Sequence, residues 1–96
     1  MHLIWHAPLS FYSRADEAAF FTWLNGIPEV KSITGVGREL HIELSSDVVS
    51  EASLRELLAI YSRYIGNMKE LAKFVTPENE SWFKSKKAYW YASVFQ

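Results

Sequence analysis

Apolar and polar positions alternate from His2 to Ala7, with Leu3, Trp5 and Ala7 on one side and His2, Ile4 and His6 on the other, until Pro8 ends the run. This predicts a first strand. The period then changes. Phe20, Trp23, Leu24 and Ile27 recur at helical spacing, widened by Phe21, after Ser13, which sits three residues before Asp16 in a helix-capping arrangement. Gly26 and Pro28 stop that helix. Two extended runs, 30–34 and 39–44, flank Gly35-Val36-Gly37-Arg38 and predict a hairpin. In the second run Leu40, Ile42 and Leu44 face one way and Glu39, His41 and Glu43 the other, so one sheet face is buried and the other is open or has a polar cover. If Thr34 pairs with Glu39, Lys31 falls on the side of Ile33 and Leu40. That strand is then an edge whose lysine reaches water.

A second helix follows Ser50. Val49 and Leu54 are placed as a hydrophobic staple, Leu54, Leu57, Leu58, Tyr61 and Ile65 form its apolar stripe, and Gly66 supplies the stop. Strand, helix, hairpin and helix are the opening of a split βαβ unit, and residues 69–75 can supply the missing fourth strand. The expected architecture is therefore α+β: a ferredoxin-like βαββαβ core, with an antiparallel sheet and two helices on one face. Met68, Leu71, Ala72 and Val75 also fit a helix. Thr76-Pro77-Glu78 is a helix start and predicts a short helix over 77–83. Beyond Ser85, Trp90 with Val94 and Tyr91 with Phe95 stand four apart, as on a helix, while the Tyr-Trp-Tyr run also suits a strand. The chain reads as one domain, a core over 1–75 carrying an aromatic extension over 76–96.

That extension holds six of the fifteen aromatic residues, Trp82, Phe83, Tyr89, Trp90, Tyr91 and Phe95, spaced by Lys84, Lys86 and Lys87. Rings at this density either complete a core or form a binding surface. One expectation is that they pack over the open sheet face, or over the same face of a second copy. As a partner-binding set, Trp82, Tyr89, Trp90, Tyr91, Lys86 and Lys87 point to an unidentified protein or to self-association. Single-stranded nucleic acid is the other partner class, because bases stack on rings and lysines hold phosphates. The net charge of −1 and the acids on the central strands disfavour it. The average nevertheless hides a division, −4 over residues 1–56 and +3 over 57–96.

Composition narrows the chemistry. With no cysteine, disulfides, thiolate catalysis and cysteine-ligated metals are excluded, so stability must come from packing. No segment has the pattern of a signal peptide or the length of a membrane span, which predicts a soluble, cytoplasmic protein. The one constellation with specific chemistry is His2, His6 and His41 beside Glu39 and Glu43, which share a strand parity and would lie together on the open face. Imidazole and carboxylate suit zinc, nickel or copper, and a histidine beside a glutamate can act as a base. No spacing of the HExxH kind accompanies them, so neither a cofactor nor a catalytic residue is assigned. Gly35-Val36-Gly37 lies between strands and reads as a turn rather than a phosphate loop. Glu51 and Arg55, four apart on a helix, read as a surface pair.

The ending Glu80-Ser81-Trp82-Phe83, then 87–95 (Lys-Ala-Tyr-Trp-Tyr-Ala-Ser-Val-Phe), resembles the C-terminus of a group of small uncharacterised bacterial proteins. The resemblance extends loosely to Ala7-Pro8-Leu9-Ser10 and Gly37-Arg38-Glu39-Leu40. It implies a bacterial origin and a recurrent fold, and no activity. Where that group favours Asp-Pro before the final aromatic run, this chain has Lys86-Lys87. The reading that results is a non-enzymatic interaction module, with metal or small-ligand binding on the histidine face as its alternative.

Overall fold

In a computed structural model, which describes residues 1–6 and 9–96, the chain is α+β, with three antiparallel strands and several helices. The expected strand end at Ala7 and Pro8 lies outside the described residues. Strands β1 (His2–Trp5), β2 (Val30–Val36) and β3 (Glu39–Leu44) form a sheet in the order β1-β3-β2. Leu3 pairs with Ile42 and Trp5 with Leu40, so Leu3, Trp5, Ile42 and Leu44 point to the buried side. His2, His6, Glu39, His41 and Glu43 take the opposite parity, as the alternation requires. The hairpin turns on Gly37 and Arg38 alone, because Val36 already pairs with Glu39. Gly37 carries φ +61°, the positive value that a two-residue turn of type II′ places at its first position.

This register corrects the expected pairing of Thr34 with Glu39, since Thr34 lies opposite His41 and Ile33 opposite Ile42. A bulge between Val30 and Ser32 then reverses the parity upstream. Val30 consequently packs against the core, and Lys31 is exposed, its Nζ 4.0 Å from Glu43 on the open face.

Helices α1 (Arg14–Asn25) and α2 (Glu51–Arg63) cover the apolar side of the sheet. Ser13 Oγ accepts the Asp16 N–H and Ser50 Oγ the Ser53 N–H, each at 3.1 Å, so both predicted caps are formed. A further anchor is the Glu29 carboxylate, which accepts the Ser50 N–H at 2.9 Å and the Ser53 hydroxyl. Burial works to raise the Glu29 carboxyl, but the hydrogen bonds from Ser53 and Ser50 prevail and hold it below its ordinary value. In the core the Trp5 ring lies 4.4 Å from Tyr61 and meets Phe20 edge-on at 5.4 Å. Each such buried side chain contributes about 2 kcal/mol of transfer free energy.

The C-terminal end of α2 departs from the sequence reading. Gly66 N–H reaches back to Tyr61 C=O at 2.8 Å, closing a Schellman turn, but the left-handed residue is Ile65, with φ +61°. Ile65 therefore leaves the apolar stripe and is 81% exposed. Gly66 is needed for a different reason: a Cβ there would stand 2.6 Å from Tyr61 and 2.8 Å from Trp5.

The expected fourth strand over 69–75 is not formed. Met68–Phe74 is a 3-10 helix, its cap the Asn67 side chain, which accepts the Lys69 N–H at 3.3 Å. Its period of three places Met68, Leu71 and Phe74 on one side, with Leu71 and Phe74 buried. The outer edge of β1 receives a side chain in place of a strand, since Lys73 Nζ donates to His2 C=O at 2.9 Å. Two short helices, α3 (Glu80–Phe83) and α4 (Tyr91–Phe95), complete the chain. No helix among the described residues is long and apolar enough to cross a membrane.

Candidate functional site

The aromatic extension is fixed at its start by reciprocal hydrogen bonds. Asn79 Oδ1 accepts the Thr76 N–H at 2.8 Å and Thr76 Oγ1 the Asn79 N–H at 3.2 Å. Helical turns begin at Thr76, and the α-helical part is shorter than the predicted 77–83. From there the rings divide by role. Phe83 is fully buried, and Trp90, 6% exposed, donates its indole N–H to Phe83 C=O at 2.7 Å. Phe95 meets Phe83 edge-on at 4.9 Å and lies 5.8 Å from Tyr91, four residues earlier, which settles the second short element as a helix. Val94 is buried with them. These residues anchor the tail.

The tail does not cover the open sheet face, which corrects that expectation. It packs on the 3-10 helix, where Lys69 Nζ also donates to Gln96 C=O, and meets α2 through Arg55. The Arg55 guanidinium of α2 lies 4.3 Å from the Trp82 ring centre and 5.7 Å from that of Trp90, while its Nε donates to Glu51 at 3.0 Å. Trp82 and Trp90 stand perpendicular at 6.1 Å, and Tyr89 stands at 80° to Trp90 at 4.9 Å. The result is a shallow groove of about 510 Å³ lined by Arg55, Ser81, Trp82, Ser85, Lys87, Ala88, Tyr89 and Trp90. Tyr89 is 63% exposed.

Four of the six sequence-predicted partner residues, Trp82, Lys87, Tyr89 and Trp90, thus converge. Lys86 and Tyr91 do not line the groove; Lys86 is exposed beside it and Tyr91 leans on Phe95. Arg55 was missed because its spacing from Glu51 already explained it as a helix-surface pair. The groove's lining holds two cations and no carboxylate. That combination can stack a planar or apolar group on the rings and hold a carboxylate or phosphate at the rim.

On the open sheet face the predicted histidine and glutamate residues do come together. His2 Nε2 and His41 Nδ1 share a hydrogen bond at 3.1 Å, with ring centres 5.1 Å apart, and His41 Nε2 lies 3.0 Å from Glu39 Oε1. His6 Nδ1 stands 3.1 Å from Glu39 Oε2. Glu43 is apart from this chain, accepting from Ser32 Oγ at 3.3 Å. Both His41 nitrogens and both Glu39 oxygens are directed at these neighbours, and among the described residues no three histidine or carboxylate groups are arranged to hold a metal ion. Comparison of the chain with protein-family models, with curated proteins and with solved structures finds no match.

Proposed function

We propose that this chain is a non-enzymatic interaction module of a bacterial cytoplasm, and that its aromatic groove binds an acidic protein segment carrying an aromatic or proline residue. The observation that carries the reading is the lining itself: Trp82 and Tyr89 packed on the buried Trp90, the Arg55 guanidinium over the Trp82 ring and paired through Nε with Glu51, and Lys87 unpaired among the described residues, with no carboxylate in the lining. Rings held rigid in this way offer contact area at little entropic cost, and the cations select charge. The C-terminal likeness to small bacterial proteins belongs to the same reading, since Trp82, Tyr89 and Trp90 are among the residues that carry it. So does a ferredoxin-like ancestry of the core, with the 3-10 helix standing in the place of the fourth strand.

The test is an NMR titration of the labelled protein with a capped hexapeptide of five glutamates and one tyrosine, beside its lysine counterpart. The acidic peptide is expected to shift the Trp82 indole and the Lys87 and Tyr89 amides, less so as salt rises. Equal response to the basic peptide would overturn the reading, and saturable binding of oligothymidylate in its place would transfer the groove to single-stranded nucleic acid.

A second reading rests on the contiguity of His2, His41, Glu39 and His6. Zinc or nickel would have to break those hydrogen bonds and reorient the rings. If it does, the metal raises Tm by mass action and His41→Ala abolishes the shift.

A further inference from the structure

A third surface, remote in sequence from the tail, lies where α1 ends and α2 begins. A crevice of about 290 Å³ opens there, with Trp23, Ile27, Pro28 and Ala52 among its lining and Glu56 as its one charged residue. Trp23 Nε1 donates to Glu56 Oε1 at 2.8 Å, so the carboxylate is held against the edge of the indole. Glu56 makes no ion pair among the described residues.

The helix ends add to this charge. Gly26 N–H is shared between the Thr22 and Trp23 carbonyls at 3.0 and 3.1 Å, and the last turn of the twelve-residue α1 has no basic side chain. The negative end of its dipole is therefore uncompensated at the crevice. The positive end of α2 does not offset it, because Glu29 already occupies that position through Ser50 and Ser53. An anion would meet Glu56 and Glu29 with no cation to receive it. A neutral apolar ligand would fill the apolar lining but gain nothing from the Glu56 carboxylate, which would keep only the Trp23 N–H and water. A cation with an apolar body satisfies all the surfaces at once, its body on Ile27, Pro28 and Ala52 and its charge beside the Glu56 carboxylate, which the Trp23 indole N–H holds in place.

We infer that this crevice is a binding site for a small organic cation, an alkylammonium or guanidinium group on a compact apolar body. The site is separate from the aromatic groove, so failure of one leaves the other standing. Its test is an NMR titration of the full chain with cyclohexylammonium and with cyclohexanol as the neutral isostere, followed at the Trp23 indole N–H. The ammonium should give a saturable shift there, and Glu56→Gln, at an exposed position, should weaken it about fivefold with little change in Tm. Nα-acetyl-lysine methylamide, whose ε-ammonium is free, forms a second arm. Tighter binding than cyclohexylammonium assigns the site to a lysine of a protein partner, and weaker binding assigns it to a free amine. Cyclohexanol binding as tightly as the ammonium, or an unchanged affinity in Glu56→Gln, would overturn the inference.

Discussion

The histidine face and the aromatic groove are built by opposite rules. On the sheet, His2, His41, Glu39 and His6 are joined atom to atom, and Ser32 and Lys31 turn to Glu43. In the groove the rings interlock, and of the two lining cations Arg55 is paired with Glu51 while Lys87 makes no ion pair among the described residues. A face whose polar atoms are largely joined to one another loses hydrogen bonds when it binds through them; a groove with a packed floor and an unpaired lysine need not. The contrast also separates two kinds of aromatic residue that the sequence presents side by side. Trp90 holds the floor and Tyr89 is the part a partner would meet.

The largest expected effect tests that separation. Trp90→Ala should lower unfolding free energy by about 3–5 kcal/mol in chemical denaturation, since it removes a buried indole and its bond to Phe83. Tyr89→Ala should cost less than about 0.5 kcal/mol. Comparable losses would mean that both rings belong to the core and that the groove is not a surface at all.

Next in size are two neighbours at the end of α2. Gly66→Ala should destabilise by about 2 kcal/mol, because its Cβ would meet Tyr61 and Trp5 at 2.6 and 2.8 Å. Ile65→Gly should stabilise by about 1 kcal/mol, relieving a β-branched residue of φ +61°. Thermal melts of the pair decide whether Gly66 serves packing or backbone conformation.

Glu29 gives a pH-dependent contrast with the histidine face. Its carboxyl is held below the ordinary 4.5, so the folded state binds the proton less readily than the unfolded chain. Its contribution is complete above pH 4.5 and disappears as pH falls through the lowered folded value. Glu29→Gln should therefore cost about 1 kcal/mol or less at pH 7, a difference that closes in acid denaturation curves below that value. Smallest is His41→Ala, expected within about 0.5 kcal/mol at neutral pH in the absence of metal. A larger loss would show that the histidine chain stabilises the fold instead of merely occupying the face.

Side-chain parity and helix caps were legible because they depend on neighbours in sequence. Ser13, Ser50, the alternation along β3 and the shared face of the histidines all follow from local spacing. What escaped depended on distant partners. The bulge at Lys31 became visible only with β3 beside it. The 69–75 segment has a period compatible with several structures, and contacts with α2 and α4 select the 3-10 form. Ile65 looked like core because it continues the stripe of α2, but Gly66 is required against Trp5, and the left-handed position falls one residue earlier. The groove was half legible: its rings and Lys87 were named, but Arg55 comes from another helix and had a sufficient local explanation in Glu51.

The most direct measurement compares peptide binding by the native chain and Tyr89→Ala, with the glutamate-rich hexapeptide and its lysine counterpart, at two salt concentrations. Binding by the acidic peptide alone, weakened by salt and lost in a Tyr89→Ala variant of unchanged Tm, is the predicted result. Equal affinity for both peptides, or undiminished binding by Tyr89→Ala, would contradict the groove as the working surface of this protein.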